Sequence, residues 1–303
     1  MARRAIGPLS SAIITKSTQT RYEFAVRWFF AWLRALQQPV PCTLLDFDDQ
    51  VAQCVEAAWQ EGESRSLVGD LLSGLSHFFN PLRSRLPSGW RLWSAWGRLE
   101  LPARAWPLLP DQLDAICWVA AQWDLIDVAI ALWVGFDALL RTAEFVGLRV
   151  GQLHFKADLT ACFVSLPETK GSARKGAPEG VAVKAPALVR LLAKHCNRLQ
   201  AGDLVLRRSP TQFRAAFKAL VAAVNLHGEY KPYSIRRGGA TAWFRRSGSI
   251  DDTTDRGRWA NARTCRIYVN TALADLINQA QPKHVSEGIQ TLGSAWRAAM
   301  LQF

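Results

Sequence analysis

Apolar residues recur at helical spacing along most of this chain. After the Thr/Ser-rich TKSTQT, which supplies a cap, Tyr22, Val26, Phe29, Phe30 and Leu33 fall on one face of a helix that ends at QQPVP. A second helix is expected over 46–59 and a third over 64–79, where Leu67, Leu71, Leu72, Leu75 and Phe78 form a buried stripe and Asn80-Pro81 stops the chain. The pattern lapses between Pro81 and Pro110, which hold five of the fourteen prolines together with Trp90, Trp93, Trp96 and Trp106. That stretch reads as a linker with a short helical piece, its tryptophans serving as packing residues. Helical spacing returns in LPDQLDAICWVAAQW, with Asp111 as its N-cap, and helices dominate to Arg149. LHFKADLTACFVSL then alternates, with turn residues at Ala157-Asp158, and GVAVKAP is a short β-branched run, so a small antiparallel sheet is expected. Helices resume over 187–199 and 211–225.

The fold class is therefore mainly α (α+β): an all-helical N-terminal domain, then a larger domain of helices with one small three-stranded antiparallel sheet. A chain of 303 residues, 49% of them hydrophobic, accommodates two domains of ordinary size. The expected divisions are a flexible basic arm at 1–12, a helical domain at 13–80, a linker at 81–108, a second domain at 109–281 and a tail at 282–303.

A formal charge of +12 gives the surface a positive field that attracts polyanions by counterion release. The basic residues are interleaved with apolar ones, as in VRWFFAWLRAL, which suits folded amphipathic helices. The first twenty-two residues carry Arg3, Arg4, Lys16 and Arg21 and no acid, a composition that fits an organelle transit peptide and fits better a flexible basic arm touching a DNA backbone. Cys42, Cys54, Cys117, Cys162, Cys196 and Cys265 include no CxxC pair and no zinc spacing, and read as reduced thiols of an intracellular protein. The most apolar stretch, LIDVAIALWVGFDALL, is interrupted by Asp127 and Asp137 and reads as a core helix, with no membrane partner expected.

The chemistry concentrates late in the chain. From Tyr233 the sequence runs YSIRRGGATAWFRRSGSIDDTTDRGRWANARTCRIYVN, rich in arginine, broken by Gly-Gly and closing on Tyr268. A phenol attacks a phosphodiester only where fixed cations neutralise the charge that builds on the phosphorus oxygens, and the forked guanidinium suits that task. With Arg141 in DALLRTAEFVGLRV and Lys170 in LPETKGSARKG, this run resembles the catalytic domain of the tyrosine recombinase (phage integrase-like) family. The opening pattern, Thr15 to Leu33, is similar to the small helical DNA-clamping (core-binding) domain that precedes it in that family.

The resemblance implies roles residue by residue. Arg141 matches the first catalytic arginine, and Glu144 its acidic companion, which orients without reacting. Lys170 occupies the lysine position in the hairpin joining the second and third strands and is the implied general acid, with Arg174 and Lys175 as competitors or as DNA contacts. Tyr233 and Arg236 fill the histidine-x-x-arginine box. Tyrosine there departs from the commoner histidine: its hydroxyl still donates a hydrogen bond, but it does not shuttle protons near neutral pH. Arg236 is the second phosphate clamp, and Arg237 is expected on a phosphate outside the active site. Trp259, in GRW, falls where members carry histidine or tryptophan, its indole N–H facing the same phosphate. Tyr268 is the nucleophile, and Arg263 and Arg266 hold its helix against DNA.

The activity so implied is a metal-free, cofactor-free site-specific recombination through a 3′-phosphotyrosyl link. Its partner is double-stranded DNA, with no small-molecule substrate. The family works as a homo-tetramer on paired sites, and Leu273 to Phe303 is the candidate segment for reaching a neighbour, or for packing on its own domain. The expected location is intracellular and DNA-associated, in the nucleus if the host is eukaryotic. Two alternatives stay open at this point: an inactive DNA-binding protein derived from a mobile element, and a strand-passing enzyme of the type IB topoisomerase kind.

Overall fold

The computed structural model describes residues 13–101, 103–167 and 178–302. The arm expected at 1–12 and the three residues Lys170, Arg174 and Lys175 lie outside them. The chain divides into two compact units, Met1–Ala103 and Arg104–Phe303.

In the first unit each of three helices starts at a hydroxyl cap. Thr15 precedes α1 (Lys16–Ala35), Thr43 precedes α2 (Leu44–Gln60) and Ser64 precedes α3 (Arg65–Phe78), and each side chain accepts from a backbone N–H of the first turn. Their apolar faces close on Phe29, Leu33, Val51, Val55, Leu71, Leu72 and Leu75, all buried. The segment expected as a linker contributes a fourth helix to the same core, α4 (Pro87–Leu99). Leu86 has no side chain that caps, so buried Asp48 of α2 does it, accepting from Ser88 N at 3.0 Å and Gly89 N at 3.3 Å. Trp96 is buried against Trp59, and Trp93 donates its indole N–H to the Arg65 carbonyl while the Arg65 guanidinium lies 3.8 Å over its ring. These tryptophans are packing residues.

The second unit opens with an extended strap, Arg104–Leu109, and α5 (Pro110–Gln122). That helix starts one residue before the expected cap at Asp111, because Gln112 reaches back to the Leu109 N–H at 2.9 Å. Buried α6 (Ile126–Asp137) and the short α7 (Thr142–Val146) follow. Strands β1 (Leu153–Phe155), β2 (Cys162–Leu166) and β3 (Glu179–Val183) form one antiparallel sheet in that order, with Val164 of β2 opposite Leu153 and Val181. Then come α8 (Pro186–Cys196), α9 (Pro210–Ala223), α10 (Tyr233–Ser247), α11 (Ile250–Arg256), α12 (Ala262–Tyr268), α13 (Thr271–Ala280) and α14 (Lys283–Met300). The expected tail at 282–303 is largely this last helix. It packs on α5 of its own unit and buries Trp296 beside Trp133, with ring centroids 5.6 Å apart.

Glycines explain how tightly α10 is held. A Cβ on Gly238 would stand 1.9 Å from the Leu108 carbonyl oxygen of the strap, and one on Gly239 would stand 2.2 Å from the Phe136 carbonyl oxygen of α6. The Gly-Gly pair therefore lets one helix touch backbone on two sides. Among the described residues no helix is long and apolar enough to cross a membrane.

Candidate active site

Three successive pieces of the second unit converge at the N-terminal half of α10. Tyr233 and Arg236 lie one turn apart on that helix. Arg236 is 1% exposed, and its Nη1 and Nη2 donate to the Leu139 carbonyl at 2.5 Å and the Gly257 carbonyl at 2.6 Å. The α6–α7 loop and the α11–α12 loop are thus tied to one guanidinium. Both loops carry a non-glycine residue in the left-handed region, Leu139 at φ 49° and Arg258 at φ 57°. Such conformations cost about 1–3 kcal/mol each and persist where the surroundings impose them.

Glu144 organises the cations. Its Oε1 accepts from Arg141 Nη1 at 2.5 Å, and its Oε2 accepts from the Arg141 backbone N–H at 2.8 Å and from Arg258 Nη2 at 2.5 Å. Arg236 Nη1 stands 3.8 Å from the same Oε2. Glu179, the first residue of β3, lies 3.5 Å from Arg258 Nε and 3.8 Å from Arg141 Nη1. Three guanidiniums thus face two buried carboxylates, leaving an excess positive charge in a place shielded from water. Burial, reinforced by the Arg258 and Arg141 cations, lowers the Arg236 pKa to about 10, so the group stays charged at neutral pH.

The aromatic side of the site is built on α12. Asn261 caps that helix by accepting from Thr264 N at 2.9 Å, buried Cys265 anchors it, and Tyr268 is its last residue. The Tyr268 ring lies 4.6 Å from that of Trp259 and 5.3 Å from that of Tyr233, centroid to centroid, and the Arg236 guanidinium stands 4.9 Å from the Trp259 ring. Trp259 is buried, and its Nε1 has no acceptor among the described residues. Burial and the neighbouring Tyr268 phenol push the Tyr233 hydroxyl pKa up, which keeps it a neutral donor across the physiological range.

A family model described as the phage integrase family matches residues 108–274. This chain belongs to the phage integrase family. No curated protein sequence gives a significant match. The fold is similar to that of the Tn1549 transposon integrase in complex with transposon right end DNA, with a TM-score of 0.62 at 14% identity over 92% of this chain and 96% of that one. The XerH site-specific recombinase bound to palindromic difH substrate gives 0.60 at 11% identity, over 87% of this chain and 78% of the other. A lambda integrase dimer bound to a COC' core site gives 0.59 at 14% identity, over 86% and 74%. At these identities the likeness is one of fold: a mainly helical chain with a small antiparallel sheet.

Of the residues singled out in this integrase-family sequence, Arg141, Glu144, Tyr233, Arg236, Trp259 and Tyr268 stand together. Arg263 and Arg266 are exposed on α12. Arg237 is buried and, among the described residues, has no hydrogen bond or ion pair with Glu144. Two members of the cluster escaped sequence reasoning, Arg258 and Glu179. Their signal was present only faintly, as a charged residue beside Trp259 and an acid at the head of a β-branched strand.

Proposed function

We propose that this integrase-family chain is a site-specific DNA recombinase that breaks and rejoins double-stranded DNA through Tyr268. The phenol oxygen attacks a phosphodiester, the bond to the 5′ oxygen breaks, and a 3′-phosphotyrosyl link stores the bond energy for attack by a second 5′-hydroxyl. The Arg141 and Arg236 guanidiniums balance the charge that develops on the nonbridging oxygens, the Trp259 N–H and the Tyr233 hydroxyl donate to those oxygens, and Glu144 holds the arginines in place. Lys170 protonates the departing 5′ oxygen in this reading, and guanidinium groups supply the positive charge with no metal step. Exposed Arg263 and Arg266 bind flanking backbone in this reading, as do Arg174 and Lys175. Rejoining needs two duplexes, so the working assembly is a homo-tetramer on paired sites.

The observation that carries the reading is the buried, acceptorless Trp259 Nε1 beside Tyr268 and the Arg236 guanidinium. An indole donor withheld from water and left unbonded is costly in a resting protein and is useful to an incoming oxyanion. A nicked suicide substrate tests the proposal, because loss of the short cleaved fragment prevents rejoining. A denaturation-resistant protein–DNA adduct is expected. Duplex binding without any adduct over a panel of element-end sequences would instead mark a DNA-binding protein without strand-transfer activity.

A further inference from the structure

Arg237 follows Arg236 on α10, so its side chain leaves the helix about 100° further round. The charge that acts on it is that of Arg104, at the head of the strap 104–108, and not that of Glu144. The strap is fixed against the start of α10, with Trp106 N donating to the Glu229 carbonyl at 2.9 Å and Leu108 N to the Ser234 carbonyl at 3.1 Å. Gly238 permits this approach. Arg237 is 2% exposed, yet it makes no hydrogen bond or ion pair with any described residue, and its Nε is sealed from water without an acceptor.

Among the described residues the other buried guanidiniums of this unit each have a partner at a terminal nitrogen, although Arg236 Nε and Arg258 Nε are unbonded too. Arg236 holds two carbonyls, Arg258 holds Glu144, and Arg256 holds Asp137 at 3.0 Å. The groups whose charge acts on Arg237 are a second cation, Arg104, and the Tyr233 and Tyr268 phenols; no carboxylate is among them. A covered cation with a cation for its neighbour is destabilising unless an anion arrives.

We propose that Arg237 and Arg104 form a ready-made seat for a second DNA phosphate, adjacent on the same strand to the one addressed by Arg236. The inference rests on the recombinase reading for its ligand, and the geometry narrows that ligand. A forked guanidinium with a second guanidinium beside it matches the nonbridging oxygens of a phosphodiester. Tyr233 links the two seats, in ring contact with Tyr268 and within electrostatic reach of Arg237. The strand is thereby held at two consecutive points, which fixes the phosphate to be cut.

The test is a binding cycle that needs no cleavage. Duplexes with one neutral methylphosphonate at each phosphate around the cleavage site are titrated against Tyr268→Phe protein, alone and combined with Arg237→Gln or Arg104→Gln. Each arginine change is expected to weaken binding to unmodified DNA about tenfold and to flatten the salt dependence by about one phosphate contact. At one position next to the cleavage site, the methylphosphonate should weaken the parent protein by a similar factor and leave both arginine variants unaffected. The thermal midpoint of Arg237→Gln without DNA should equal or exceed that of the parent, because a buried unpaired charge has been removed. Arg104 is exposed, so its variant reports even if Arg237→Gln folds poorly.

Additive losses at every phosphate position, or a lowered midpoint with unchanged DNA affinity, would overturn the seat. Stabilisation by inorganic phosphate that depends on Arg237, with no coupled DNA position, would also overturn it by making the ligand a free anion. Failure of wild-type protein to form an adduct, with the coupled position present, would refute the recombinase reading and leave the seat standing.

Discussion

Arg258 donates from Nη2 to Oε2 of Glu144 at 2.5 Å across 114 residues of sequence, and both side chains are almost wholly buried. The bond joins the loop that carries Trp259 to the helix that follows Arg141. Glu144 also holds Arg141, so one carboxylate sets the spacing of the site's cations and keeps their mutual repulsion from opening it.

Glu144→Ala is expected to lower stability by about 3–5 kcal/mol, since removing one member of a buried ionic cluster strands the others. Urea unfolding measures it. A loss below about 1 kcal/mol would mean that Glu179 alone suffices to hold the three guanidiniums.

Trp259→Phe separates binding of the transition state from packing. The indole Nε1 has no partner among the described residues of the free protein, so its loss breaks no hydrogen bond. Stability should fall by only about 1–2 kcal/mol for the smaller ring. Cleavage in single turnover should fall by about 10², the usual cost of one missing oxyanion donor. Unchanged cleavage would reduce Trp259 to a packing residue.

Gly238→Ala should destabilise the second unit by about 3 kcal/mol or more, because the new methyl meets the Leu108 backbone at 1.9 Å and backbone does not swing aside as a side chain does. Gly202→Ala is the control, with nothing within 4 Å of its Cβ. Equal thermal midpoints for the two variants would show that the strap is loosely held.

Sequence alone made the helical faces and the alternating strands legible, since periodicity records which face is buried. It also brought Arg141, Arg236, Trp259 and Tyr268 together, through motif spacing and a family resemblance. It reduced α4 to a short piece of a linker, because proline and tryptophan density masks the helical spacing of Leu92, Trp93 and Trp96, and because the cap of that helix comes from Asp48, far off in the chain. It missed Arg258 and Glu179 for a related reason. An ion pair formed between distant segments leaves no local pattern in either. The packing of α14 on its own unit was one of two readings that the sequence left open, as an amphipathic helix shows that it needs a partner and not which one.

The α5–α14 contact has its own pH dependence. Arg297 Nη1 lies 2.7 Å from Asp114 Oδ2, but burial, aided by Asp111, prevails and raises the Asp114 carboxyl from 3.8 to about 6. The folded protein therefore holds this proton more tightly than the unfolded chain does. The associated stability is complete below about pH 4 and is lost as pH rises through 6, by at most about 3 kcal/mol. Thermal midpoints for wild type and Asp114→Asn should converge at low pH and differ above pH 6, with the asparagine variant flatter across this window. Parallel curves would contradict the assignment.

The most direct measurement is the identity of the residue joined to DNA. Wild-type protein trapped on a nicked substrate, digested and sequenced by mass spectrometry, should yield one modified peptide, with the nucleotide on Tyr268 through a 3′-phosphate. Tyr268→Phe should abolish it while DNA affinity stays within a few-fold, because affinity is spread over many phosphate contacts. A nucleotide on Tyr233, 5.3 Å away ring to ring, or an adduct that persists in Tyr268→Phe, would contradict the account.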